Sequence, residues 1–299
     1  MQTHSPEDLR RGYLCAAVVV TIWTGFILVS RMGGKSSLTP YDLIALRYGV
    51  AAIAILPFWW HHRTNLLEWR KLALALVGAL GFTLFAFNGF RHAPANHAAI
   101  LLQGFLPFTV SVMAYFILDE RPTRRRLAGL GLVALGVSSI ALESFGSSGL
   151  TVLGDGMLVG ASLCWALYTV LLRRWNMPPM DATIAVTLIS TVLYLPIYLL
   201  LLPKNIAATP LMDCVGFALY QGVIVAVVQM IFYTKSVALL GASRLAMVAS
   251  IVPVLASLGA VPLLGEPLTL PIAVGLVFTV LGAWVGNSRG ATRPIPSAS

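Results

Sequence analysis

Two stretches of this chain repeat each other, without a gap, at a spacing of 146 residues. Pro107, Ser111, Ala114, Leu118, Glu120, Thr123, Gly129, Leu130, Leu135 and Gly136 match Pro253, Ser257, Ala260, Leu264, Glu266, Thr269, Gly275, Leu276, Leu281 and Gly282. The register holds through two apolar segments and the turn between them, so the same pair of helices is encoded twice. A chain duplicated in this way folds as two similar halves, and whatever lies between them is built from corresponding segments.

The segments are apolar enough to belong in lipid. Hydrophobic residues make up 58% of the chain and charged residues 10%, and the mean hydropathy is +0.85. A soluble domain carries roughly a quarter charged residues. A spanning helix needs about 20 apolar residues. Ten runs approach or exceed that length: 13–33, 42–60, 71–91, 94–118, 125–142, 155–174, 181–202, 213–239, 243–263 and 270–287. The first run is too long, and its flanks wrong, for a cleaved signal peptide. The expected fold is an all-α integral membrane protein with ten transmembrane helices.

The net charge of +9 raises nucleic acid as a partner, but its placement points elsewhere. With the N-terminus in the cytoplasm, the inner loops and tails hold Arg10, Arg11, Arg63, Arg70, Lys71, Arg121, Arg124, Arg125, Arg126, Arg173, Arg174, Arg244, Arg289 and Arg293, against Arg31, Lys35, Arg91 and Lys204 outside. That asymmetry is the positive-inside bias of a protein with both termini cytoplasmic. The basic run after Arg121 reads as a topology anchor beside anionic lipid, not as a nucleic-acid patch. Five helices per half is an odd number, so the second half enters the membrane upside down. The expected arrangement is two inverted five-helix repeats, residues 1–146 and 147–299, joined by the Gly- and Ser-rich stretch near 143–154. The loops leave no room for a soluble catalytic or nucleotide-binding domain. Cys15, Cys164 and Cys214 suit neither a disulfide framework nor metal-ligand spacing. Neither a metal nor a cofactor is expected.

Several short motifs carry a family resemblance. They are Ile22-Trp23-Thr24-Gly25 and Leu46-Arg47-Tyr48 in the first two helices, and Leu118-Asp119-Glu120-Arg121-Pro122-Thr123 after the fourth. The second repeat supplies Cys164-Trp165-Ala166-Leu167-Tyr168 and Leu264-Gly265-Glu266-Pro267-Leu268-Thr269. In this order, over essentially the whole chain, the pattern resembles the drug/metabolite transporter superfamily, EamA type. Within it the chain is similar to bacterial exporters of amino acids and related metabolites, the YddG-type aromatic amino acid exporters among them. The resemblance implies a multi-pass carrier of the bacterial inner membrane; the motifs mark fold rather than substrate.

Only polar groups facing the bundle interior are substrate candidates, since polar groups facing lipid are costly. Gln221, Gln229 and Tyr233 in the eighth helix fall within about 120° of arc at 100° per residue. They fit a pocket, and equally well interhelical hydrogen bonding. Gln103 lies near mid-span in the fourth helix, within about 40° of Asn96 and Pro107. Trp23 and Trp165 coincide when the first helices of the two repeats are superposed, and Tyr168 shares the face of Trp165. Halfway along their spans, away from the interfacial belt where Trp is enriched, the two tryptophans suit either a pocket or apolar packing. Pro107 and Pro253 match in the repeat and should bend their helices, as hinges or as fixed kinks. Arg47 reads as a structural cation or as an attractor of a substrate carboxylate. His97 reads as a hydrogen-bonded turn residue, and Glu120 and Glu266 as helix terminators at opposite membrane faces.

No paired acid and base or metal cluster occurs at a spacing that would serve a lipid-modifying enzyme, so a non-enzymatic function is expected. The expected activity is export of small amphipathic metabolites, amino acids first, by alternating access around a midplane pocket. The alternatives are efflux of cationic compounds and passive facilitation. Expected partners are the small-molecule substrate and membrane lipid, with no nucleic acid. Gly275, Gly282 and Gly286 in the last helix offer a small-residue face for a homodimer or for packing inside the bundle.

Overall fold

A computed structural model of the chain describes residues 6–146 and 148–287; Arg289 and Arg293 of the charge analysis lie outside them. Ten helices follow one another: α1 Pro6–Lys35, α2 Pro40–His62, α3 Trp69–His92, α4 Ala95–Leu118, α5 Arg124–Phe145, α6 Gly149–Arg174, α7 Pro179–Leu201, α8 Leu211–Leu240, α9 Arg244–Leu264 and α10 Leu270–Asn287. The first nine are long and apolar enough to cross a membrane, and α10 is a shorter apolar helix. The protein is an all-α, multi-pass membrane protein of two inverted five-helix repeats.

Local chemistry sets the helix ends, and the repeat sets them twice. Thr39 and Asp42 form a capping box at the start of α2, with Pro40 in its first turn. Thr123 accepts from the Arg126 amide at the start of α5, and Thr269 accepts from the Ile272 amide at the start of α10. The preceding helices end alike. Asp119 (φ 55°) and Gly265 (φ 66°) are left-handed. One residue on, the Glu120 and Glu266 amides each donate at 3.3 Å to the Ala114 and Ala260 carbonyls.

The linker is shorter than the sequence suggests. Glycine and serine across 143–154 predict a loop, yet α5 continues to Phe145 and α6 begins at Gly149. Ser148 caps α6. Gly154 is a packing residue: a Cβ there would lie 2.6 Å from the Ala93 amide.

Packing exchanges elements between the repeats. The first helix of each half sits against the third and fourth helices of the other: α1 against α8 and α9, α6 against α3 and α4. The equivalent helices α2 and α7 pair, as do α5 and α10. The α5–α10 pair meets through glycine. A Cβ on Gly129 would lie 2.5 Å from the Gly282 carbonyl, and one on Gly136 2.8 Å from the Gly275 carbonyl. The glycine face of α10 is therefore occupied by α5 within the chain.

Both prolines mark breaks. Each is the second residue of a new helical segment, Leu106–Leu118 in α4 and Val252–Leu264 in α9. The residue before each segment has almost the same conformation, φ −81°, ψ −16° at Phe105 and φ −79°, ψ −15° at Ile251. At those positions a missing N–H costs little, so the prolines end one segment and start another rather than kink a continuous helix. π-helical turns add irregularity in register with the repeat: Ala75–Gly81 in α3 and Tyr220–Val228 in α8. A third, Ala99–Gly104 in α4, has no counterpart in α9, whose matching stretch is ordinary α-helix.

Candidate functional site

A cavity forms where the two broken helices meet. It measures about 170 Å³ and takes residues from α1 (Trp23), α4 (Gln103 and Pro107), α8 (Tyr233), α9 (Ser250 and Pro253) and α10 (Thr279). The geometry explains its polarity. Neither proline can donate to the carbonyl four residues earlier, and those carbonyls belong to Gln103 and Ala249, both in the lining. Irregular backbone at membrane depth is tolerated where it borders such a space. Among the described residues, no Asp, Glu, Lys, Arg or His lines the cavity. Its side chains offer two aromatic faces, one amide and the hydroxyls of Tyr233, Ser250 and Thr279.

Trp23 anchors this wall. Its ring lies 6.0 Å from that of Tyr233. With the Gln229 amide oriented to donate to the Val225 carbonyl, its oxygen accepts from Trp23 Nε1 at 3.2 Å. Trp23, Gln229 and Tyr233 are thus brought together, and Gln103 faces the same space.

Trp165, Tyr168 and Gln221 stand apart from that lining. Trp165 packs against Phe82 at 5.0 Å and Tyr168 at 5.2 Å, and Tyr168 covers Gly78, where a Cβ would overlap its ring. Gln221 is fully buried; it accepts from Arg47 Nη1 at 2.7 Å and donates to Ser30 Oγ at 2.9 Å. The symmetry is visible even so. Trp23 on α1 meets residues of α8, and Trp165 on α6 meets residues of α3, the equivalent helix.

The cavity is asymmetric across the bundle. Leu245 and Ala246 near the start of α9, and Ala283 near the end of α10, place it between mid-depth and the face of the termini, the face where α1 begins and α10 ends. A second cavity of about 40 Å³ shares Pro107 and Ala283 and reaches Arg126 at that face. The opposite face carries a more buried set of contacts between the repeats. Arg31 at the end of α1 donates from Nε to Glu266 at 2.7 Å and from Nη1 to the Phe90 carbonyl at 2.7 Å. The other Glu266 oxygen accepts from the Ala95 amide at 2.6 Å, capping α4. Beside this pair, buried His97 bonds Asp155 through Nδ1 at 3.0 Å, Ser144 donates to Asp155, and Thr269 donates to Glu143.

On the face of the termini, Arg173 at the end of α6 pairs with Glu120. The two pairs correspond, each joining the first helix of one repeat to the helix 4–helix 5 turn of the other. They differ in burial. The Arg31 and Glu266 side chains are 13% and 9% exposed, those of Arg173 and Glu120 48% and 39%. Sequence reasoning reads Arg31 as a loop cation and Glu266 as a helix terminator, and misses their pairing. A usable signal was present: the 142-residue shift that superposes Trp23 on Trp165 also superposes Arg31 on Arg173.

The sequence profile of the EamA-like transporter family matches residues 10–142 and 152–287. The uncharacterized transporter YyaM of Bacillus subtilis is 24% identical, over 82% of this chain and 83% of that one. A protein of Escherichia coli named a probable amino-acid metabolite efflux pump is 28% identical, over 52% of each chain. A crystal structure at 19% identity superposes with a TM-score of 0.64, covering 92% of this chain and 94% of the other.

Proposed function

The chain belongs to the EamA-like transporter family, and from that premise we propose that it exports small amphipathic metabolites, amino acids first, by alternating access around the cavity at Trp23, Gln103 and Tyr233. The observation that carries this reading is the meeting of two broken helices, one from each repeat, at a space lined by aromatic and uncharged polar groups. Such a lining suits a substrate with an apolar body and a polar backbone. Gln229, bonded to Trp23, belongs to the same wall; Trp165, Tyr168 and Gln221 would join the path in another state.

The positive-inside bias assigns the face of the termini to the cytoplasm of a bacterial inner membrane. The structure then corresponds to a state closed to the outside. Cationic drug efflux is the weaker reading, because no carboxylate lines the cavity. The moving bodies in this scheme follow the exchanged packing. One group is α1, α8 and α9 and the other α3, α4 and α6, so the sequence repeats 1–146 and 147–299 contribute to both. A homodimer, if formed, uses a face other than the α10 glycines.

Purified protein in proteoliposomes, tested for saturable uptake against a panel of the common L-amino acids, tests the reading. Trp23→Ala and Tyr233→Ala should raise the half-saturating concentration while detergent melting stays near wild type. Uptake of quaternary ammonium compounds with none of any amino acid would overturn the substrate class. Non-saturating flux would favour a passive facilitator.

A further inference from the structure

We propose that Arg47 binds the carboxylate of the transported molecule, an assignment that rests on the carrier reading above. Arg47 points into the bundle from α2. Gln221 of α8 accepts one of its N–H groups at 2.7 Å, and the Gln221 amide is held in turn by Ser30 of α1 at 2.9 Å. The guanidinium also lies 5.8 Å from the centre of the Phe26 ring. Every one of these neighbours is neutral.

The missing partner is an anion. Among the described residues no carboxylate stands within ion-pair distance of Arg47, whereas Arg31, Lys71 and Arg173 each have one. Asp42, five residues earlier on the same helix, is occupied by the Thr39 amide, the Tyr198 hydroxyl and the Asn205 amide. An arginine inside a membrane bundle is costly unless water, a carbonyl or an anion compensates it. A guanidinium carries five N–H donors, and Gln221 takes one. Arg47 keeps partial exposure although Phe26, Ile44, Tyr48 and Gln221 are all buried. Among the described residues its remaining N–H groups have no acceptor within hydrogen-bond distance.

The chemistry of the ligand follows from the donor. A planar guanidinium fork matches a carboxylate with two parallel hydrogen bonds. Phe26 follows Trp23 by three residues on α1, a rise of about 4.5 Å. A molecule whose apolar part lies on Trp23 and Tyr233 would place a carboxylate one helical turn further from the termini, at the depth of Arg47. The uncharged cavity would recognise the body of the substrate, and Arg47 its acid group. The neutral Gln221 holds the guanidinium in place without competing for it as a charged partner would.

The test pairs ligand chemistry with the side chain. Thermal melting of the purified full-length protein in lipid nanodiscs is followed against L-amino acids, their methyl esters, and carboxylates without an amino group (3-phenylpropionate, benzoate and acetate). The expected result is that a stabilising amino acid loses about 10-fold or more in affinity on esterification, as loss of a charge-assisted contact implies. In Arg47→Met the acid and its ester should bind alike. Arg47→Lys, which keeps the charge but loses the fork, should fall between them and guards against a folding artefact in Arg47→Met. Equal binding of acid and ester by the wild type would overturn the assignment and leave the carrier reading standing. If no amino acid stabilises the wild type, the substrate class fails instead, and the simple carboxylates decide. Stabilisation by them that Arg47→Met abolishes keeps the anion site, and its absence overturns it.

Discussion

Replacing Glu266 with Gln should open the face opposite the termini, and replacing Glu120 with Gln should leave its own face almost unchanged. The two residues are equivalent in sequence, yet their environments differ. Glu266 is 9% exposed in its side chain and holds both Arg31 and the first amide of α4. Removing one member of a buried pair typically costs about 3–5 kcal/mol, because the other charge stays behind uncompensated. Arg31 retains the Phe90 and Arg91 carbonyls, so the low end, about 3 kcal/mol, is the better figure. At about 1.4 kcal/mol per tenfold, the closed arrangement of that face loses roughly a hundredfold in population relative to the open one. Glu120 and Arg173 are 39% and 48% exposed, and an exposed pair contributes about 0–1 kcal/mol. Ala98, fully buried behind the seal on α4, offers the reporter. With Cys15, Cys164 and Cys214 replaced, Ala98→Cys should react slowly with an impermeant maleimide applied to the face opposite the termini. Glu266→Gln should raise that rate by one to two orders of magnitude, and Glu120→Gln by less than about threefold. Equal rates in the two variants, or acceleration by Glu120→Gln alone, would refute the claim that burial of the Arg31 pair closes this face.

Three further outcomes are expected. Pro107→Ala and Pro253→Ala should bias accessibility toward opposite faces and slow transport in both cases, since the breaks at Phe105 and Ile251 match across inverted repeats; unchanged labelling of both faces in both variants would identify fixed breaks rather than hinges. Gln221→Leu should lower stability by about 1–3 kcal/mol by leaving Arg47 and Ser30 without their buried partner, read as a lower melting temperature, and wild-type melting would count against the structural role seen at Gln221. Gly129→Val should cost about 1–3 kcal/mol through overpacking against the Gly282 carbonyl with no change in oligomeric state by light scattering, whereas dissociation of a dimer at unchanged melting would place that seam between chains.

The sequence carries the fold almost completely because its strongest signals are local or periodic. Apolar length gives the ten helices. The matched residues of the duplication give the paired bends at Pro107 and Pro253 and the paired helix ends at Glu120 and Glu266. What it conveys poorly is partnership across the bundle. Helical periodicity puts Gln221 and Gln229 on one arc of α8, but only packing shows that Gln229 meets Trp23 while Gln221 meets Arg47. The π-helical turns explain part of this separation. An extra residue in a turn rotates everything beyond it, and the π-helical segment Tyr220–Val228 contains Gln221 and ends just before Gln229. Likewise the two inter-repeat ion pairs are hidden by a change of register, since helices 4 and 5 repeat at 146 residues whereas Arg31 and Arg173 stand 142 apart. A duplicated chain with one uniform offset would have displayed both pairs. Here the difference in offset falls between the first helix and the fourth, so the contacts that close the two faces become visible only after each segment is aligned separately. Once aligned, they explain why equal sequences produce unequal faces. The pair on one side is enclosed by the 95–97 turn and its His97–Asp155 neighbour, and the other is left open to solvent. That inequality distinguishes the two faces in this conformation although their sequences correspond.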